Sequence, residues 1–142
     1  MKKIFFIIPA YNEERNVTEL HSQISENISE LSMYKFTFLF IENGSTDNTY
    51  AELLDLVKLD KNVKILKLSR NFKMDGAIAA GINTVDGDAA IIMTANLQDD
   101  PKVIIKFIRK WEEGYEHVYG VVKSRPGKSK IRQFNSKLFY KL

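Results

Sequence analysis

The chain has 142 residues, 44% of them apolar, with no cysteine and a formal net charge of +3. That length supports one domain with a real core, and the missing thiols exclude a disulfide framework or a thiolate metal centre. No run reaches the ~20 apolar residues of a membrane span, and His21 and His117 lie too far apart in sequence to suggest a zinc site.

The first apolar run, residues 3–8, superficially suggests a signal peptide. It is short, ends at Pro9 and meets Tyr11-Asn12-Glu13-Glu14 rather than a small-residue cleavage site, so it reads as a strand. A helix starting at Asn12 or the acids after it, and running to about Leu31, places Val17, Leu20, Ile24, Ile28 and Leu31 on one face. Residues 36–41 form a second strand. Asn43-Gly44-Ser45 is a turn, and Thr46 or Asp47 caps a helix with Leu53, Leu54 and Val57 inward.

The third strand, residues 63–68, alternates apolar residues with lysine, which suits a position near a sheet edge. Ser69-Arg70-Asn71-Phe72 then leads into a helix over residues 75–83, where Gly76, Ala77, Ala79, Ala80 and Gly81 permit close packing on a sheet. Residues 89–93 are five consecutive apolar residues after the turn pair Asp86-Gly87. They predict a central strand buried on both faces. Asp100 caps a helix over 101–111 whose first residue is Pro101, and a strand follows over 117–122. The last segment, 128–142, is a basic amphipathic helix with Ile131, Phe134, Leu138, Phe139 and Leu142 on one face.

Strand and helix alternate throughout, which predicts right-handed βαβ units and a mostly parallel α/β sheet flanked by helices. Charge is distributed unevenly along it. After Glu116 there is no acid but seven lysines and arginines, so the tail is basic and the body net acidic. The tail either packs on its own domain, pairs with a second copy as a homodimer, or rests on anionic lipid as a peripheral membrane contact. A nucleic-acid binder is disfavoured, because the basic residues sit in one tail without an RNA-reading aromatic motif.

Familiar phosphate and nucleophile motifs are absent. There is no Walker loop, no dinucleotide glycine fingerprint and no Gly-x-Ser-x-Gly elbow. A receiver domain would need acids where Pro9-Ala10-Tyr11 and Ser69-Arg70 stand. Ligands of open α/β sheets bind outside the carboxyl ends of the strands. Three polar strand ends converge there: Pro9-Ala10-Tyr11-Asn12-Glu13, Glu42-Asn43-Gly44-Ser45, and Thr94-Ala95-Asn96 with Gln98 and Asp99 beyond. Taken singly, each is a turn or a cap. Together they could hold a base and ribose, with Tyr11 as a wall and Glu42 accepting hydrogen bonds.

Four ordered stretches carry a resemblance: Ile7-Ile8-Pro9-Ala10-Tyr11-Asn12-Glu13-Glu14, Ile41-Glu42-Asn43-Gly44-Ser45-Thr46-Asp47-Asn48-Thr49, Ser69-Arg70-Asn71-Phe72, and Met93-Thr94-Ala95-Asn96-Leu97-Gln98-Asp99. In order and spacing they resemble the family 2 glycosyltransferases of GT-A fold, and within them the polyprenyl-phosphate (dolichol-phosphate-mannose-synthase-like, bactoprenol glucosyl) branch. Tyr119-Gly120-Val121-Val122-Lys123-Ser124-Arg125 and Ser136-Lys137-Leu138-Phe139-Tyr140 support that branch.

The resemblance implies a nucleotide-sugar donor, a UDP-hexose or GDP-mannose, and a lipid-phosphate acceptor. It implies nucleotide binding by Pro9, Ala10, Tyr11, Asn12, Glu13, Glu42, Gly44, Ser45, Arg70, Thr94 and Ala95, and catalytic roles for Asp99 and Arg125. Arg125 is expected near the phosphates of the donor or acceptor. It further implies a divalent metal, Mg2+ or Mn2+, at Asn96, because the leaving nucleoside diphosphate gathers charge in the transition state. The resemblance divides the chain into a nucleotide-sugar-binding domain, 1–127, and the basic helix, 128–142. Relatives continue past this point, so the GT-A fold is expected to be incomplete on its acceptor side. The expected location is cytoplasmic, at the cytoplasmic face of the membrane.

This sequence departs from the family at its acids. Val-Asp-Asp-Gly-Ser is here Ile41-Glu42-Asn43-Gly44-Ser45, and Asp-Ala-Asp-Leu-Gln is Thr94-Ala95-Asn96-Leu97-Gln98. Hard cations favour carboxylate oxygen. One unit-charge pair at ~4 Å is worth about 4 kcal/mol at an effective dielectric near 20. If hydration returns half, each lost carboxylate lowers metal affinity more than tenfold, at about 1.4 kcal/mol per decade. The expectation is therefore a metal site that is weak or absent, with Asp99 the nearest remaining acid. Two function classes follow: a glycosyltransferase domain, or a non-catalytic nucleotide-binding or assembly module that keeps the fold.

Overall fold

The computed structural model describes residues 1–121. The end of the last expected strand at Val122, Arg125, the boundary at 127 and the helix expected over 128–142 lie outside them. Eight elements alternate: β1 (Lys2–Ala10), α1 (Val17–Ile28), β2 (Tyr34–Glu42), α2 (Thr49–Leu59), β3 (Val63–Lys67), α3 (Lys73–Thr84), β4 (Ala89–Ile92) and α4 (Val103–Glu112). The strands pair in the order β3-β2-β1-β4, all parallel.

The pleat of β1 explains the layering. Ile4, Phe6, Ile8 and Ala10 join Phe38, Phe40 and Val63 in a core covered by Val17, Leu20 and Ile24 of α1, Leu53 and Leu56 of α2, and Ile104 and Ile108 of α4. Ile7, on the opposite face, packs with Leu39, Ile41 and Ala77 of α3. A strand buried on both faces needs no polar alternation, hence the near-continuous apolar runs of β1 and β2. The expected close approach of α3 is realised at Gly81, where a Cβ would stand 2.5 Å from Cγ2 of Ile7.

Three expectations need correction. The run at 89–93 is neither central nor buried on both faces: β4 pairs only with β1 among the described residues, and Ile92 is 46% exposed. The reason is that α3 packs over β1 and β2, so β4 has cover only on the face of Ile91 and Met93. On α2, Leu53 and Leu56 face inward with Thr49, while Leu54 and Val57 are exposed. Thr49, Leu53 and Leu56, at i, i+4 and i+7, share the face laid on the core, and Leu54 and Val57 fall beside it. The strand expected from His117 does not form over 117–121.

The ends of two helices also shift. Asn12 adopts a left-handed φ of 52°, so the chain turns through Glu13 to Asn16 before α1 begins at Val17. Asp100 ties the turn ahead of α4, its Oδ1 accepting the Lys102 N–H at 3.0 Å, and regular helix starts at Val103. Among the described residues no helix is long and apolar enough to cross a membrane.

Candidate functional site

In register, Ala10 pairs with Glu42 and Ile7 with Ile92, so β1, β2 and β4 end at one edge of the sheet. The loops leaving β1 and β2 are stitched together there. The backbone N–H groups of Asn12, Glu13 and Glu14 donate to Ser45 Oγ (3.0 Å), Thr49 Oγ1 (2.8 Å) and Asp47 Oδ2 (3.4 Å). In return, the N–H groups of Thr46 and Asn48 donate to Asn12 Oδ1 (2.8 Å) and Glu14 Oε2 (2.9 Å). Short polar side chains serve this purpose well because they reach neighbouring backbone without burying length.

Asp47 anchors the stitch. Desolvation acts to raise its pKa. Hydrogen bonds from the hydroxyl and N–H of Thr49 and from the N–H of Glu14 outweigh it, holding the carboxyl below its usual range. Glu42 is 1% exposed, and its Oε1 accepts the Ser45 N–H at 2.6 Å, closing the turn after β2. At Gly44, φ is +74° and a Cβ would meet the Arg70 carbonyl carbon at 2.5 Å, so only glycine lets the β2 loop and the β3 loop touch.

Asn43 makes the second join. Its Oδ1 accepts the Phe72 N–H at 2.9 Å, and its Nδ2 donates to the Lys73 carbonyl at 3.1 Å and to Asn71 Oδ1 at 3.3 Å. The Lys73 N–H also donates to Asn71 Oδ1, at 2.7 Å. The clamp holds Lys73 at φ 62°, a left-handed conformation that costs a side-chain-bearing residue on the order of 1 kcal/mol.

Between these loops and the end of β4 lies an open cleft of about 280 Å³, lined by Pro9, Ala10, Tyr11, Glu13, Asn43, Asn71, Lys73, Met74, Thr94, Ala95 and Asn96. The structure thus brings Pro9, Ala10, Tyr11, Glu13, Thr94, Ala95 and Asn96 together in one cleft. Asn12, Glu42, Gly44, Ser45 and Arg70 are not among its lining residues. Arg70 stacks its guanidinium 3.9 Å from the Phe72 ring centre and donates to the Asn71 carbonyl.

The family resemblance assigns no role to Asn43, Asn71, Lys73 or Met74, although Asn43 lies within one of the three polar strand ends. The signal for Asn43 and Asn71 was present in their motifs. For Lys73 and Met74 there was none, because their place in the cleft follows from the turn made by the β3 loop.

Asp99 lines a different space, a groove of about 850 Å³ along the open side of β4. That groove is walled largely by apolar residues such as Ile91, Phe107 and Trp111, whereas the smaller cleft collects the polar strand ends that chemistry needs. Thr94 lies between the two: its Oγ1 is 2.8 Å from Asn96 Oδ1 and 2.9 Å from Asp99 Oδ2. Asn96 Oδ1 also accepts the Gln98 N–H at 3.2 Å.

A divalent metal does not fit this donor set. It offers one carboxylate, already engaged by Thr94, and two neutral groups turned toward one another. Among the described residues no cluster of three His, Asp or Glu side chains could hold an ion.

The profile of the family described as "Glycosyl transferase family 2" matches residues 5–142. Over 140 residues the chain is 37% identical to an uncharacterized glycosyltransferase of Synechocystis sp., covering 99% of this chain and 44% of that protein. It is 32% identical over 140 residues to the bactoprenol glucosyl transferase of Shigella phage SfX, covering 99% and 46%. Among solved structures, a Pyrobaculum calidifontis mannosyltransferase in complex with GDP-Man and Mn2+ superposes with a TM-score of 0.66 at 17% identity, over 78% of this chain and 32% of that one. S. aureus TarS 1-349 in complex with UDP gives 0.64 at 17% identity, over 89% and 40%. At such identities these structures bear on the fold, which is the expected GT-A arrangement. The chain spans less than half the length of these curated relatives. It belongs to glycosyl transferase family 2.

Proposed function

We propose that this chain is the nucleotide-sugar-binding half of a glycosyltransferase that passes a hexose to a polyprenyl-phosphate acceptor at the cytoplasmic face of the membrane. One observation supports the reading above others: Pro9, Ala10, Tyr11, Glu13, Asn43 and Thr94–Asn96 converge on a single cleft at the carboxyl edge of a parallel sheet. In this reading Tyr11 is the aromatic wall for a base, and Glu13, whose Oε2 accepts from Asn16 Nδ2 at 2.6 Å, is the acid that accepts from a ribose. The bactoprenol glucosyl relatives carry the acceptor part of the proposal, and a UDP-hexose or GDP-mannose is the donor class.

A second reading, a nucleotide-binding module without turnover, is favoured by the Thr94–Asn96–Asp99 cluster, which lacks the acids for a metal. Calorimetry with UDP, GDP and their sugars, each with manganese and with chelator, tests both. Micromolar binding of one nucleotide is expected, changing little on chelation. Absence of binding to every nucleotide overturns both readings, and manganese-dependent hydrolysis or transfer decides for the first over the second.

A further inference from the structure

Any nucleotide diphosphate in this cleft brings negative charge to a wall where a metal counter-ion would find a single carboxylate, Asp99, already engaged by Thr94. Among the described residues lining the cleft, Lys73 is the only base and Glu13 the only acid. Lys73 is also one of only three non-glycine residues with positive φ in the described chain. The backbone on both sides of it is fixed: Asn43 holds the Phe72 N–H and the Lys73 carbonyl, and Asn71 holds the Lys73 N–H. A glycine would occupy that conformation without strain. Strain kept at one residue, and clamped by its neighbours, points from geometry toward use.

We propose that Lys73 is the cation of this cleft: its ammonium binds the diphosphate of the nucleotide, supplying the charge that a metal at Thr94 and Asn96 would otherwise bring. The inference rests on the nucleotide reading above. A lysine suits the task as a compact charge with three donors on a flexible stem, and charge-assisted bonds to phosphate are the strong ones.

The test is calorimetry in chelator with inorganic pyrophosphate, UDP and GDP, on the wild-type chain and on Lys73→Gly, Lys73→Met and Lys73→Arg. Lys58→Met serves as a charge-matched control outside the cleft lining, at a residue whose partner among the described residues is Asp55. Pyrophosphate and one nucleotide should bind the wild type. Both should weaken at least about tenfold in Lys73→Gly and Lys73→Met, a loss of one decade or more, and stay within about threefold in Lys73→Arg and Lys58→Met.

The midpoint of thermal unfolding should be no lower in Lys73→Gly, because φ 62° suits glycine, which separates lost binding from lost structure. Equal affinities in wild type and Lys73→Met overturn the proposal. Lys73-dependent binding of pyrophosphate with no tighter binding of either nucleotide upholds the anion site and overturns the nucleotide reading alone. No binding of pyrophosphate or nucleotide by the wild type overturns both.

Discussion

On one wall of the cleft, the loops after β1 and β2 trade side-chain to backbone hydrogen bonds in both directions, from Asn12–Ser45 to Glu14–Asn48. On the other, the polar side chains after β4 satisfy one another: Thr94 with Asn96 and Asp99, Asn96 with Gln98. The first arrangement braces two strand ends that lie far apart in sequence and fixes where Tyr11 and Glu13 stand. The second shapes its own turn. Its two neutral residues replace the acids that the family pattern places at the phosphates. The wall proposed for the nucleoside is therefore braced from two loops, and the wall where the family pattern expects a metal has neutral side chains in place of two acids.

The largest effect on stability is expected where the braced wall meets the β3 loop. Gly44→Ala combines a positive φ with a Cβ 2.5 Å from the Arg70 carbonyl carbon. Overpacking of this kind costs about 1–3 kcal/mol and the left-handed backbone about 1–2 more, so a loss of about 3 kcal/mol is expected. Urea unfolding should show a lower midpoint at unchanged slope. A variant as stable as wild type would mean that the two loops separate freely, and that the first wall is no brace.

Asn43→Asp comes next. It restores an acid of the family pattern, yet it is expected to destabilise by about 2 kcal/mol. The carboxylate would keep the Phe72 N–H but face the Lys73 carbonyl and Asn71 Oδ1 with no donor to offer. Urea unfolding at neutral pH measures it. An unchanged or raised stability would show that the β3 loop turns Asn71 around to accommodate the charge.

These two residues also show what was legible in the sequence. The alternation of apolar runs with helix-period stripes was enough for the α/β sheet, because β1 and β2 are buried on both faces and leave no room for another pattern. It misjudged β4, whose run of Ala89 to Ile92 looks as apolar as β2 but lies at the open side of the described sheet. Composition records that a strand is apolar, not which neighbour covers it.

In the site, the motifs located the three strand ends correctly. The bracing within them was hidden, since nothing in the motifs shows that Ser45 and Asn12, expected as ligand contacts, also tie the two loops together. Lys73 was invisible for a related reason: only the clamp by Asn43 and Asn71, from two different loops, brings it to the cleft.

On the second wall, the double change Thr94→Asp with Asn96→Asp should convert a self-satisfied turn into a cluster of three carboxylates with Asp99. At more than about tenfold for each restored carboxylate, manganese affinity is expected to rise by about a hundredfold or more, roughly 2.8 kcal/mol. In chelator the variant should unfold at lower temperature than wild type, from like-charge repulsion, and manganese should reverse the loss. Titration calorimetry and thermal unfolding with and without the ion measure both effects. If manganese leaves both proteins alike, the geometry of the turn, rather than its missing charge, is what keeps the ion out.

The smallest effect concerns the stitch itself and acid. The folded-state pKa of Asp47 is lowered below its ordinary value of 3.8. A carboxyl lowered in this way contributes stability that is fully present above its unfolded pKa and lost as pH falls through the folded value. The window therefore opens near pH 4 and extends downward. Asp60, also lowered through the Asn62 N–H and His21, loses its contribution over the same range. Asp47→Asn keeps an oxygen for the Thr49 N–H but no longer titrates. Its stability at neutral pH should fall modestly, while its decline below pH 4 should be shallower than that of wild type, with the remaining slope carried by Asp60 and the other acids. Urea midpoints measured from pH 7 down to pH 2.5 would show the two curves converging. Parallel curves would mean that Glu14 and Thr49 hold the loops together without help from the Asp47 charge, and that the first wall is braced by geometry alone.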